Sequence, residues 1–163
     1  MQYNLLLNVT GKDACEVLTK ILEDSKCFGW KFHFAEIVGI DEDELRKQMN
    51  SRVIGLSEPY KKHLVEYYGT TSAQPINNEI FQEGSNLRFS VMDGIIMPVV
   101  KKLSILYPNN IFTLHHQSEE DVCGTYVYSN GKIFLNTLVN DARKDVIKAI
   151  LQKETYDIML LIC

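Results

Sequence analysis

The sequence predicts an α+β fold in which helices pack on one face of an antiparallel sheet. Three observations predict it. Apolar residues alternate at period two through Tyr3, Leu5, Leu7 and Val9, and again through Leu87, Phe89 and Val91, as half-buried strands require. Between such segments lie stretches of helical spacing, of which Ala14, Val17, Leu18, Ile21 and Leu22 form the clearest apolar stripe. The 163 residues are 45% apolar and 23% charged, which is the composition of an ordinary globular chain and is expected to form a single domain over 1–163.

Each element follows from its own signals. The first strand covers Tyr3 to Val9. Thr10-Gly11-Lys12-Asp13 then offers a hydroxyl with a carboxylate three residues later, the spacing of a capping box, ahead of a helix running to about Lys26 and stopping near Gly29. Trp30, Phe32 and Phe34 alternate with Lys31, His33 and Ala35, which predicts a second strand to about Val38. Asp41 with Glu44 repeats the capping-box spacing. Ser57-Glu58-Pro59 opens another helix, with Tyr60, Leu64, Tyr67 and Tyr68 as its stripe and Gly69 as its left-handed cap. Thr70 to Ser85 has little period and reads as a long surface loop, so 41–85 form a helical insertion plus loop.

Regular structure resumes with a third strand at Leu87 to Met92. Pro98 starts a helix with Val99, Val100, Leu103, Leu106 and Tyr107 as its stripe, and Pro108 stops it. Strand four is Ile111 to His116. Val122 to Tyr128 and Lys132 to Thr137 form a hairpin across Ser129-Asn130-Gly131. Asn140 caps a last helix, and Tyr156 to Cys163 is an apolar run that suits either a strand or a helix. With the insertion set aside, the first six elements read βαββαβ, the ferredoxin-like sandwich, extended by a C-terminal hairpin and helix.

That order of elements carries a family resemblance. Asn4 to Gly11, Phe32 to Ile40 leading into Glu44-Leu45, Tyr68-Gly69-Thr70, Leu87-Arg88-Phe89-Ser90, and Leu106 to Leu114 followed by Gly124 resemble phage- and plasmid-borne proteins with a YubB-type ferredoxin-like domain. The resemblance spans about residues 3 to 137. It departs from the family at Thr71-Ser72, where an aromatic-Gly-Thr segment is usually followed by Lys-Trp. The resemblance implies the ferredoxin-like fold and an accessory role in a phage or plasmid, and it implies no reaction.

Charge and motifs narrow the function. Seventeen Lys and Arg against 21 Asp and Glu give a net charge of -4, which argues against a non-specific grip on nucleic acid phosphates. No apolar run is long enough to span a bilayer, and Met1 to Val9 lacks the basic start and cleavage site of an export signal. A cytoplasmic protein with free thiols at Cys15, Cys27, Cys123 and Cys163 is therefore expected. There is no Gly-x-Ser-x-Gly elbow and no phosphate-cradling Gly-Lys-Ser/Thr loop, so no catalytic set, cofactor or metal is expected. His115-His116 with Cys123 are zinc-type donors, but neighbours on a strand point to opposite faces and cannot share one ion. Nothing in the sequence places a histidine beside Cys15, Cys27 or Cys123.

If Leu5, Leu7, Phe32, Phe34, Phe89 and Val91 face the helices, then Asn4, Leu6, Asn8, Lys31, His33, Arg88 and Ser90 lie on the outer face. That face has no aromatic platform for stacking RNA bases. The candidate binding residues are His33, Tyr67, Tyr68, Gly69, Thr70, Thr71 and Arg88. The first expectation is a non-enzymatic protein that holds a protein partner through the insertion and its exposed tyrosines. A second is a sensor binding a small ligand or nucleotide on the outer face through Arg88 and His33. A third is a nucleic-acid accessory using Lys61, Lys62, Lys101 and Lys102.

Overall fold

The computed structural model describes residues 1–39, 58–120 and 122–138. In chain order these form β1 (Gln2–Gly11), α1 (Ala14–Asp24), α2 (Phe34–Val38), α3 (Glu58–Tyr68), a 3-10 turn at Ile76–Asn78, β2 (Phe81–Glu83), β3 (Asn86–Met92), α4 (Met97–Leu106), β4 (Asn110–Ser118), β5 (Cys123–Ser129) and β6 (Lys132–Leu138). The fold is mixed α and β. Its strands make one antiparallel sheet in the order β2-β3-β1-β4-β5-β6.

Register divides the sheet into two faces. Leu5 sits opposite Phe89 and His116, Leu7 opposite Leu87 and Leu114, and Val9 opposite Phe112, so these residues share a face. That face meets Leu18, Ile21 and Leu22 of α1 and Val99, Val100 and Leu103 of α4 in one buried core. The period-two and helical stripes thus find each other, and each large side chain so buried contributes about 1.5–3 kcal/mol.

The expected second strand at 30–38 is not a strand. Residues 31–33 are irregular and Phe34–Val38 is a short helix. Three alternating aromatics suggested period two, but from Phe34 the apolar residues Phe34, Ile37 and Val38 fall at i, i+3 and i+4, which is the helical template. Phe32 and Phe34 still reach the core, edge to face at 5.2 Å, with Phe32 also 5.4 Å from Phe89. The edge beside β3 is taken instead by β2, inside the stretch expected to be an irregular loop.

The expected capping box also fails to form. Thr10 and Gly11 belong to β1, and Asp13 precedes α1 in a left-handed conformation without a side-chain cap bond. The α3 helix, the strands at 86–92 and 110–118, the helix after Ile96 and the hairpin across Asn130-Gly131 all lie where the sequence puts them. The helix starts at Asp41 and Asn140 and the tail from Tyr156 lie outside the described residues. No helix among the described residues is long and apolar enough to cross a membrane.

Candidate functional site

The outer face carries a cleft of about 410 Å³. Its floor comes from β1 and β3, where Asn4 is opposite Ser90 and Leu6 is opposite Arg88. One wall is the 3-10 turn with Ile76 and Asn77, continued by Glu79 and by Phe81, which sits opposite Arg88 on β2. Ser90 Oγ donates to Asn4 Oδ1 at 2.7 Å, fixing the floor's polar groups in place. Arg88 is half-buried. Desolvation pulls its guanidinium below the ordinary value, while Glu83 opposes that shift, so the cleft holds a cation partly withdrawn from water. A volume of this size suits a small molecule, and a planar five-donor fork suits a carboxylate or phosphate.

Towards β4 and β5 the outer face is more closed than its polar composition suggests. Leu6, Asn8, Asn86, Thr113, His115 and Thr125 are all buried. Asn8 Nδ2 donates to Asn86 Oδ1 at 2.8 Å, and His115 Nδ1 lies 2.9 Å from Thr125 Oγ1. These two bonds pair buried polar groups across strands.

Of the residues expected to bind, Arg88 alone lines this cleft. His33 is not on the outer face, since it precedes α2 and is buried outside the sheet. Tyr68 was expected to be exposed and is fully buried, 6.1 Å from Phe34. A tyrosine at the last position of an amphipathic helix reads equally as surface or core, and here the core takes it. Tyr67 is half-buried and stacks on His63 at 6.0 Å.

Gly69, Thr70 and Thr71 clamp α3 to the end of β3. Thr70 Oγ1 donates to the carbonyl of Met92, and Thr71 Oγ1 donates to Asp93 Oδ2 at 3.0 Å. The Met1 amine also donates to Asp93, at 2.8 Å, and holds that carboxyl below the usual range. A Cβ on Gly69 would stand 2.0 Å from the Ile95 carbonyl oxygen, and one on Gly94 the same distance from the Gly69 oxygen. Two backbones meet there with no room for a side chain. Of the lysines expected to form a basic patch, Lys62 and Lys101 are exposed and Lys61 and Lys102 are half-buried.

One grouping escaped the sequence reading. Cys27, His33 and Glu36 bring a thiol, an imidazole and a carboxylate within 4.8 Å of one another, a proximity of His33 to Cys27 that nothing in the sequence indicates. Phe28-Gly29, with a glycine at the second centre of a tight turn, folds the chain back so that residues six apart can meet. The described cysteines, Cys15, Cys27 and Cys123, are in no disulfide among the described residues.

No family model matches the chain, and no curated protein does. Among solved structures it is similar to protein api92 from Yersinia pseudotuberculosis, a DUF1281 protein, at 15% identity and a TM-score of 0.39. That match covers 54% of this chain, which spans about a third (32%) of the other.

Proposed function

We propose that this protein is a non-enzymatic binding module that takes a small anionic molecule in the outer-face cleft. The observation that carries this reading is Arg88, a half-buried cation on the floor of a cleft of about 410 Å³. Ser90, Asn4 and Asn77 supply neutral polar groups, and Ile76 and Phe81 supply apolar contact, the mixture that ligand sites use. Partner capture through the insertion draws less support, because Tyr68 is buried and Thr70 and Thr71 are engaged with the end of β3.

The order β4-β1-β3-β2 among antiparallel neighbours supports a ferredoxin-like core, with β2 standing where the strand at 30–38 was expected. On this reading the chain is a YubB-type accessory protein of a phage or plasmid and works in the cytoplasm.

Calorimetric titration with inorganic phosphate, dicarboxylates and nucleoside monophosphates tests the ligand reading. At least one of these should bind, and Arg88→Ala should weaken it at least about tenfold, the equivalent of roughly 1.4 kcal/mol. Arg88→Lys should recover only part of that loss, because a point charge cannot replace a bidentate fork. The reading is overturned if none binds the folded protein, or if Arg88→Ala binds as tightly as the parent.

A further inference from the structure

The turn between α1 and α2 holds three metal-type donors on a frame with little freedom. Cys27 and Trp30 exchange backbone hydrogen bonds, N–H of Cys27 to Trp30 O at 3.1 Å and N–H of Trp30 to Cys27 O at 2.8 Å. Phe28 and Gly29 between them have φ of 47° and 87°, the backbone of a primed hairpin turn. Asn78 braces this turn from outside, accepting from Lys31 N–H at 2.8 Å and donating to Gly29 O at 2.9 Å. The returning segment is fixed by His33 N–H donating to Ser25 O at 2.9 Å, and Glu36 N–H donates to His33 O at 3.3 Å as α2 begins. Cys27, His33 and Glu36 are therefore held by backbone bonds at each of their three positions.

Their ligand atoms converge. Cys27 Sγ, a His33 ring nitrogen and a Glu36 carboxylate oxygen all lie within 4.8 Å of one another. A tetrahedral ion with bonds of about 2.0–2.3 Å separates its ligand atoms by about 3.3–3.8 Å. The three atoms, at most 4.8 Å apart, would draw together to that spacing around an ion. The donor set itself chooses the ion. Sulfur and nitrogen disfavour calcium and magnesium, whereas thiolate, imidazole and carboxylate together suit zinc and its borderline-soft neighbours. A thiolate and a carboxylate with a neutral imidazole also balance a divalent charge, which makes a half-buried position tolerable.

We propose that Cys27, His33 and Glu36 bind a zinc-class divalent cation through three protein ligands, leaving a fourth coordination position open to solvent. His33 is the buried anchor, Cys27 the half-buried thiolate and Glu36 the exposed third ligand. Binding displaces the Cys27 thiol proton to solvent, so each ion taken up releases a proton. The site lies apart from the cleft around Arg88, and none of its three ligands lines that cleft.

The test uses the full chain, freed of any affinity tag and stripped with a chelator, titrated with Zn²⁺ alone and then with Co²⁺. The expected result is a single equivalent of Zn²⁺ bound, with Co²⁺ giving a thiolate charge-transfer band. Changes outside the ligand shell already weaken metal sites about 10–100-fold, so Cys27→Ser should cost at least about a hundredfold and abolish that band. Glu36→Gln, on the surface and harmless to packing, should weaken Zn²⁺ at least about tenfold. Cys15→Ser and Cys123→Ser should bind like the parent. The proposal is overturned if the folded parent takes up no stoichiometric ion, if Glu36→Gln binds as the parent does, or if the band survives in Cys27→Ser. Should Cys27→Ser fail to fold, Glu36→Gln alone decides.

Discussion

Two regions of this molecule bury histidine, and they differ in almost every other physical respect. On β4, His115 and His116 are 0% and 3% exposed and point to opposite faces of the sheet. His115 meets Thr125, and His116 stacks on Tyr126 at 5.4 Å and 17°. Among the described residues His115 Nε2 and both His116 nitrogens lack a hydrogen-bond partner. In the turn before α2, His33 is buried too, but it stands with a half-buried thiol and an exposed carboxylate. Adjacency in sequence separates donors on a strand, while a tight turn collects donors that the sequence keeps apart. The first arrangement is a buried packing of neutral rings, and the second has the donors and the access of a ligand site.

The strand histidines give that comparison its largest consequence. Burial holds both His115 and His116 down at a pKa of about 4, His115 further lowered by its neighbour, against about 6.5 in an unfolded chain. Between pH 6.5 and 4 the unfolded state therefore binds more protons, and stability falls as the pH falls through that window. Above it both states are neutral and no further change comes from these rings. Each should cost about 3 kcal/mol by pH 4, read as a drop in the urea midpoint. His116→Phe, which keeps a ring on Tyr126, should remove its half of the pH slope while leaving the protein folded at pH 7. An unchanged slope would mean that the ring is hydrated, and the contrast with His33 would collapse.

The legibility of the two regions differs for the same reason. Strands β1, β3 and β4 repeat their pattern over enough residues for period two to be read, and the stripes of α1 and α4 do so at the helical period. Opposite faces for His115 and His116, and Arg88 on the outer face, follow from that period alone. Between Cys27 and Val38 no pattern persists, and burial of Phe32, Phe34 and Ile37 decides the conformation. His33 was placed on the outer face by three alternating aromatics that belong to a bend and a helix. Cys27, His33 and Glu36 are spaced six and three apart, a pattern tied to no known ligand template. Tyr68 and the Gly69–Gly94 contact were hidden for another reason, since both depend on what α3 packs against.

A smaller effect sharpens the comparison from the side of the turn. Asn78 accepts from Lys31 N–H and donates to Gly29 O, and these two bonds tie the turn to the segment that walls the cleft. Asn78→Ala removes both, and at about 0.5–1.5 kcal/mol each the loss is roughly 1–3 kcal/mol. The same change made on β5, Thr125→Ala, removes one bond to the His115 ring of β4 and leaves that buried nitrogen unpaired, at about 1–3 kcal/mol. Urea unfolding of both variants compares them directly. Backbone amide exchange should rise at residues 27–31 in Asn78→Ala and leave β4 protected. Equal protection at 27–31 in the parent and the variant would show that the turn is rigid without its brace.

The smallest expected effect runs the other way. Phe28 is 99% exposed and has φ of 47°, in a region that a branched or bulky side chain adopts only with strain. It buries nothing, so the strain has no compensating contact inside the molecule. Asparagine tolerates that conformation, and Asn-Gly is the favoured pair at the centre of a primed turn. Phe28→Asn should therefore stabilise the protein by about 0.5–1 kcal/mol, seen as a higher urea midpoint at pH 7 with an unchanged slope. It should also leave Zn²⁺ binding intact, because Cys27, His33 and Glu36 keep their backbone frame. Destabilisation would mean that the Phe28 ring makes a contact that its exposure conceals, and the turn would then be packed rather than strained.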